Sequence, residues 1–176
     1  MTKILVVVGS ARPGRVADKV VDYIKKETDT REDVTTEIVD LKELQLPFFD
    51  NELAPVSPDY TITNPQVTVW QEKVDAADAV LFVTPEYNHT LSAIQKNALD
   101  SLGKEWADKP VSAVAYGWSG GSLAVATLRE VLSNLKADTK EDIAQLGFMK
   151  DLNPDGTLLD ESNVAAQIKA TIDELA

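Results

Sequence analysis

Apolar residues in this chain fall into two kinds of run, and the two kinds alternate. Ile4–Val8 is short, continuous and rich in β-branched residues, the pattern of a strand buried on both faces. The segment Gly9-Ser10-Ala11-Arg12-Pro13-Gly14-Arg15 breaks it as a turn, after which Val16, Val20, Val21 and Ile24 recur at helical spacing. Thr35–Leu41 alternates like a second strand, Ala79–Thr84 and Val111–Tyr116 form a third and a fourth, and a weaker fifth falls within Asp142–Phe148. Further helices are predicted over Pro65–Ala76, Leu91–Leu102, Ser122–Leu135 and Asp160–Leu175. The longest irregular stretch, Leu44–Thr63, holds Pro47, Pro55 and Pro58 and reads as a surface excursion over one strand end.

Strands alternating with helices imply an α/β fold: a parallel sheet with helices on both faces. Five strands fit a flavodoxin-like three-layer sandwich with strand order 2-1-3-4-5. Ligands in such sheets bind beyond the carboxyl ends of the strands, where the strand order reverses. The loops after strands one, three and four meet there, which directs attention to Gly9–Val16, Pro85–Thr90 and Gly117–Gly121.

Composition narrows the chemistry. The 176 residues suit one domain spanning 1–176. There are 17 basic and 29 acidic residues, a net charge of −12, which argues against a nucleic-acid partner. The absence of cysteine removes disulfides, thiolate catalysis and thiolate metal sites, and a single histidine, His89, cannot form a His-rich metal site alone. No metal ligand set is expected. No apolar run approaches the roughly 20 residues of a membrane span, so the expectation is a cytoplasmic protein with no membrane partner. On that expectation the glycosylation-like triplet Asn88-His89-Thr90 is a chance match.

The first loop reverses the sign of the chain. Arg12 and Arg15 stand there with no acidic residue between Gly9 and Val16, beside Ser10 and the start of a helix. Glycines let the backbone approach an anion, and a helix N-terminus offers unpaired N–H groups. Gly9-x4-Gly14 is followed by Arg15-Val16, not by the Lys-Ser/Thr of a triphosphate loop, and Gly-x-Gly-x-x-Gly is missing. Two readings remain: a loop that takes a monophosphate, or a plain strand-to-helix turn with solvated arginines. In the third-strand loop, Pro85 sets the exit direction, Tyr87 offers a flat ring, and Asn88 an amide. Backbone N–H groups over Glu86–Asn88 suit the edge of a planar heterocycle, while Thr90 before Leu91 reads as the cap of the next helix.

Gly9-Ser10-x-Arg12, then Pro85-Glu86-Tyr87-Asn88-His89-Thr90 with Lys96-Asn97-Ala98-Leu99-Asp100 downstream, resembles the NADPH-dependent FMN reductases of the flavodoxin-like superfamily, which include quinone, chromate and azo-compound reductases. The resemblance runs over nearly the whole chain and takes in Tyr60, Trp70, Gly120-Gly121 and Asp155-Gly156. It implies bound FMN, NADPH or NADH as reductant, a small electron acceptor and a homodimer or homotetramer. It implies that Ser10, Arg12, Arg15 and Val16 hold the FMN phosphate. Pro85, Glu86, Tyr87 and Asn88 would run along the ring, and Gly117, Ser119 and Gly120 would close the other side. Many members carry Ser and Asn where this chain has Arg15 and Ala17; Arg15 would then act as a charge-assisted donor. No side chain is expected to serve as a catalytic acid or base, because the flavin carries the chemistry.

Two other readings compete. An acidic flavodoxin-type electron carrier would dock on basic redox partners without oxidising NADPH. Gly117-Trp118-Ser119-Gly120-Gly121 also matches the Gly-x-Ser-x-Gly of a nucleophile elbow, but no histidine follows Ser119 to complete a hydrolase triad.

Overall fold

A strand flanked by helices on both sides must be apolar on both of its faces, and β1 (Thr2–Val8) shows this. Leu5 and Val7 point into one core and Ile4, Val6 and Val8 into the other, as the two-residue period of a strand requires. In this computed structural model, which describes residues 1–176, the same split recurs in β3 (Ala79–Pro85), all seven residues of which are buried. Val80 and Phe82 face one side and Ala79, Leu81 and Val83 the other.

The first core is covered by α3 (Pro65–Asp75), α4 (Ala93–Asp100) and α5 (Ser122–Asn134), with the fully buried Trp106 packed against both Trp70 and Phe82. The indole N–H groups of Trp70 and Trp106 donate to the carbonyls of Ala98 and Leu99, so neither is left unpaired in the core. The second core is covered by α1 (Ala17–Thr28) and α6 (Glu161–Asp173), through Val20, Ile24, Val164, Ile168 and Ile172.

The sheet runs β2-β1-β3-β4-β5, all parallel, with β2 (Val34–Asp40) at one edge and β4 (Pro110–Gly117) next to the other. The expected order holds, but the far edge differs from the five-strand expectation. Two short strands share it: β5 (Asp138–Thr139) pairs with the start of β4, and β6 (Ala144–Gly147) pairs with its end. β5 is two polar residues long, so no apolar run announces it. Such short segments also blunt an otherwise open sheet edge.

Helix starts follow side-chain caps. Asp40 caps the short α2 (Leu41–Leu44), Asn64 caps α3 with Pro65 at its first position, and Asp160 caps α6. For α4 the cap is Ser92, whose hydroxyl accepts from the Gln95 N–H, and not Thr90 as expected. Thr90 is instead bonded through both its backbone groups to Tyr87. The proline-bearing stretch after α2 lies against α4, where Asn97 bonds the Pro47 carbonyl and the Phe49 N–H, and Tyr60 donates to the Ser101 carbonyl.

Arg31 ties the approach to β2 to the end of α6, donating to Asp33 at 2.6 Å and to Asp173 at 2.6 Å. Its hydrogen bond holds the Asp33 carboxyl down from the ordinary 3.8 to about 2. A carboxyl with a folded pKa below its unfolded one adds stability above the unfolded pKa and loses it as pH falls through the folded one. The urea midpoint of Arg31→Ala should therefore lie below that of the unaltered protein at pH 7, and the gap should shrink as pH drops from about 4 to 2. Denaturation curves at pH 7, 4 and 2.5 check this, and a constant gap contradicts it.

Candidate functional site

The carboxyl ends of β1, β3 and β4 open onto a cavity of about 410 Å³. Ser10, Arg12, Arg15, Val16, Pro85, Glu86, Tyr87, Asn88 and Gly117 all line it, so nine of the expected site residues come together. Ser119 and Gly120 do not: they face an adjoining recess of about 290 Å³, behind Trp118 and Phe148. His89, Tyr116, Trp118, Phe148 and Pro154 join the main wall. Phe148 and Pro154 lie just beyond β6, so applying the strand-end rule to the edge strand as well would have found them. Tyr116 was hidden inside the fourth apolar run.

In the first loop, Ser10 is buried and its hydroxyl lies 2.6 Å from the Tyr87 phenol oxygen, which joins the loops after β1 and β3. Arg15 reaches back across its own loop to the Ser10 carbonyl and outward to Asp18 and Asp40. Helix α1 begins after Val16 with no side-chain cap, so the N–H groups of its first turn open towards the cavity.

The loop after β3 is a tight hairpin. Tyr87 and Thr90 exchange two backbone hydrogen bonds at 3.0 Å each, and Asn88 and His89 between them take positive φ values of 47° and 66°. Two successive left-handed residues mark a type I′ turn, a conformation that Asn and His adopt more readily than most side chains. This changes the expected supply of backbone donors. The Glu86 N–H bonds the Tyr116 carbonyl and the Tyr87 N–H bonds Thr90, which leaves Asn88 among the three.

The Glu86 side chain points away from the cavity floor, to the start of α5. It accepts from the Leu123 N–H at 3.0 Å, from the Ala124 N–H at 3.4 Å and from the Ser119 hydroxyl at 2.9 Å. A carboxylate at a helix N-terminus satisfies orphan donors and meets the positive end of the dipole. Gly121, which precedes the helix, has φ of +77°, and a Cβ there would lie 2.7 Å from the Ala115 Cβ. No side chain fits, so the cap comes from Glu86 in the neighbouring loop.

The same contacts decide the hydrolase reading. A triad places the histidine between serine and acid. Here Ser119 bonds Glu86 directly, and Glu86 is also the group 3.7 Å from His89 Nδ1. His89 is largely exposed and faces Glu86, so no imidazole stands between Ser119 and the acid.

Tyr116 closes the floor, and its burial pushes the phenol well above the usual range, so it stays protonated at neutral pH. Trp118 is 74% exposed and meets Phe148 edge-on, with ring centroids 5.6 Å apart. Phe148 is set in turn by Asp151, a buried carboxylate that accepts from the Gly147 N–H at 2.8 Å and from Asn163 at 2.6 Å.

A family model described as NADPH-dependent FMN reductase matches residues 2–146. This chain belongs to that family. It is 34% identical over 151 residues to a NAD(P)H-dependent FMN reductase of Saccharomyces cerevisiae, covering 81% of this chain and 79% of that one. It is 33% identical over 177 residues to an FMN-dependent NADPH-azoreductase of Staphylococcus haemolyticus, covering 97% and 92%. Among solved structures, a flavoenzyme NAD(P)H:(acceptor) oxidoreductase of Paracoccus denitrificans superposes with a TM-score of 0.77 at 24% identity, covering 99% and 97%, a likeness of fold. Within Pro85-Glu86-Tyr87-Asn88 of this chain, the Glu86 and Tyr87 side chains both tie loops together.

Glu86→Ala removes the cap of α5 and the tie to Ser119. We expect a loss of roughly 1–2 kcal/mol in chemical denaturation and faster amide exchange over residues 117–124. An unchanged exchange pattern would show that the two loops are held by something else.

Proposed function

We propose that this FMN reductase family member is an FMN-dependent NAD(P)H oxidoreductase that passes electrons to FMN, a quinone or a similar small acceptor, with the 410 Å³ cavity as its flavin site. One observation carries the reading: an uncapped helix N-terminus, a buried hydroxyl and a cation line the same cavity as the aromatic rings of Tyr87, Tyr116, Trp118 and Phe148. The donor set suits a phosphate at the loop after β1, through Ser10, the backbone beside Val16, and Arg12, with Arg15 in the same loop. The volume lies within the range of about 300–1,000 Å³ usual for small-molecule sites.

Bound FMN would supply the redox chemistry, taking two electrons from NAD(P)H and passing them to the acceptor. The protein's part is placement. Pro85 and Gly117 flank the floor without bulky side chains, so a flat ring can lie between the third and fourth loops. The Asn88 N–H and amide are free to bond its edge, and Gly117 stands close to Glu86 Cβ. Tyr116, buried in the floor, keeps a neutral hydroxyl, and Tyr87 lines the cavity beside it. Ser119 would support the ring side through the Glu86 tie, and Gly120 through its N–H bond to the Gly117 carbonyl. No acid or base is assigned.

One flavodoxin-like domain, a cytoplasmic location and a homodimer or homotetramer complete the reading. Support for assembly comes from Phe48 and Val56, which are 80% and 64% exposed on the excursion after α2. No helix is long and apolar enough to cross a membrane.

The test is an absorbance spectrum of the purified protein with added FMN, followed by NADPH oxidation with a quinone acceptor. We expect flavin binding, turnover, and activity in Ser119→Ala within about threefold of the parent. Flavin binding without NADPH oxidation would point to an electron carrier, and neither would sink the reading. Light scattering should give a mass at least twice 19.2 kDa.

A further inference from the structure

We propose that Arg15 and Asp40 form a strut that shapes the phosphate loop, so that Arg15 acts as a positioning residue and not as a phosphate ligand. The proposal rests on the flavin site put forward above. Its basis is the use of the guanidinium's five N–H donors. Nε donates to Asp18 Oδ1 at 2.8 Å, and Nη1 donates to the Ser10 carbonyl at 2.6 Å and to Asp40 Oδ1 at 2.9 Å. Nη2 donates to Asp40 Oδ2. Four of the five are spent on the protein itself, and the side chain is only 12% exposed.

The Asp40 end of the strut is equally committed. Asp40 is the last residue of β2, level with Val8 at the end of β1, and the same Oδ1 caps α2 by accepting from the Lys42 N–H at 2.9 Å. Burial works to raise its carboxyl, and the bonds from Arg15 and Lys42 outweigh this and hold it below the usual range. Turning Arg15 towards a phosphate would leave that carboxylate part-buried and unpaired, a costly exchange. The charge count agrees. Two carboxylates face one guanidinium, so this pairing brings no net positive charge to the loop. Arg12, exposed in the cavity wall and in no ion pair, keeps its charge free. Arg15 thus fixes the path of the Ser10 carbonyl, and through it the hydroxyl and N–H groups that a phosphate would meet.

FMN and riboflavin differ only in the phosphate, so their dissociation constants, read from flavin fluorescence, isolate the phosphate end, and Asp40→Asn separates contact from positioning. Arg12→Gln should weaken FMN tenfold or more and leave riboflavin within about twofold. Arg15→Gln should weaken FMN severalfold and leave riboflavin within about twofold, and Asp40→Asn should weaken FMN by a similar factor although it sets Arg15 free. The thermal midpoint of the flavin-free protein should fall in each single variant, and the double variant should fall little further. The strut is overturned if Arg15→Gln leaves FMN binding unchanged, or if Asp40→Asn leaves it unchanged or tightens it. If Arg15→Gln does not fold, Asp40→Asn and Arg15→Lys decide between the same outcomes. A parent protein that binds neither flavin overturns the site itself, and the strut's role there with it.

Discussion

The carboxylate of Glu86 at the start of α5 is the contact on which the arrangement of the cavity depends. It leaves one loop and ends in another, so the segments after β3 and β4 are tied together. The same device recurs around the rim. Asp40 holds the first loop through Arg15 and caps α2, and Asp151 holds the segment after β6. Each is a carboxylate placed against backbone N–H groups, where one charged acceptor can order several donors. With α2, α3, α4 and α6 capped by their own side chains and α5 capped by Glu86, α1 is the helix whose first turn is left facing the cavity.

Much of this was legible in the sequence because it depends on local periodicity. β1, β3 and β4 are continuous apolar runs, and no other placement hides both faces of such a run. The glycines that mark the loop after β4 are also explicit, since Gly121 sits where a side chain would strike Ala115. What failed were choices between near-equivalent neighbours. Thr90 and Ser92 are both good caps, and the decision comes from the hairpin, which needs Thr90 as the partner of Tyr87. β5 has no hydrophobic signal at all.

The role of Arg15 shows a different limit. Its position in a glycine-bearing loop suggests an anion ligand, and nothing nearby in sequence contradicts this except Asp18. The group that claims it, Asp40, lies 25 residues away and arrives only when β2 pairs with β1. Likewise, the net charge of −12 does not describe the site. Several of the acidic residues are structural acceptors, so the field at the cavity is set by which charges are already paired.

The three tryptophans have sharply different surroundings. Trp70 and Trp106 are sealed in one core with their indole N–H groups bonded to carbonyls, whereas Trp118 stands in solvent at the cavity wall against Phe148. The fold has therefore placed a built-in optical reporter at the mouth of the cavity, with the other two emitters shielded from anything dissolved outside. Red-shifted, readily quenched emission belongs to the residue beside the pocket, and occupancy can be followed by light from the unlabelled protein.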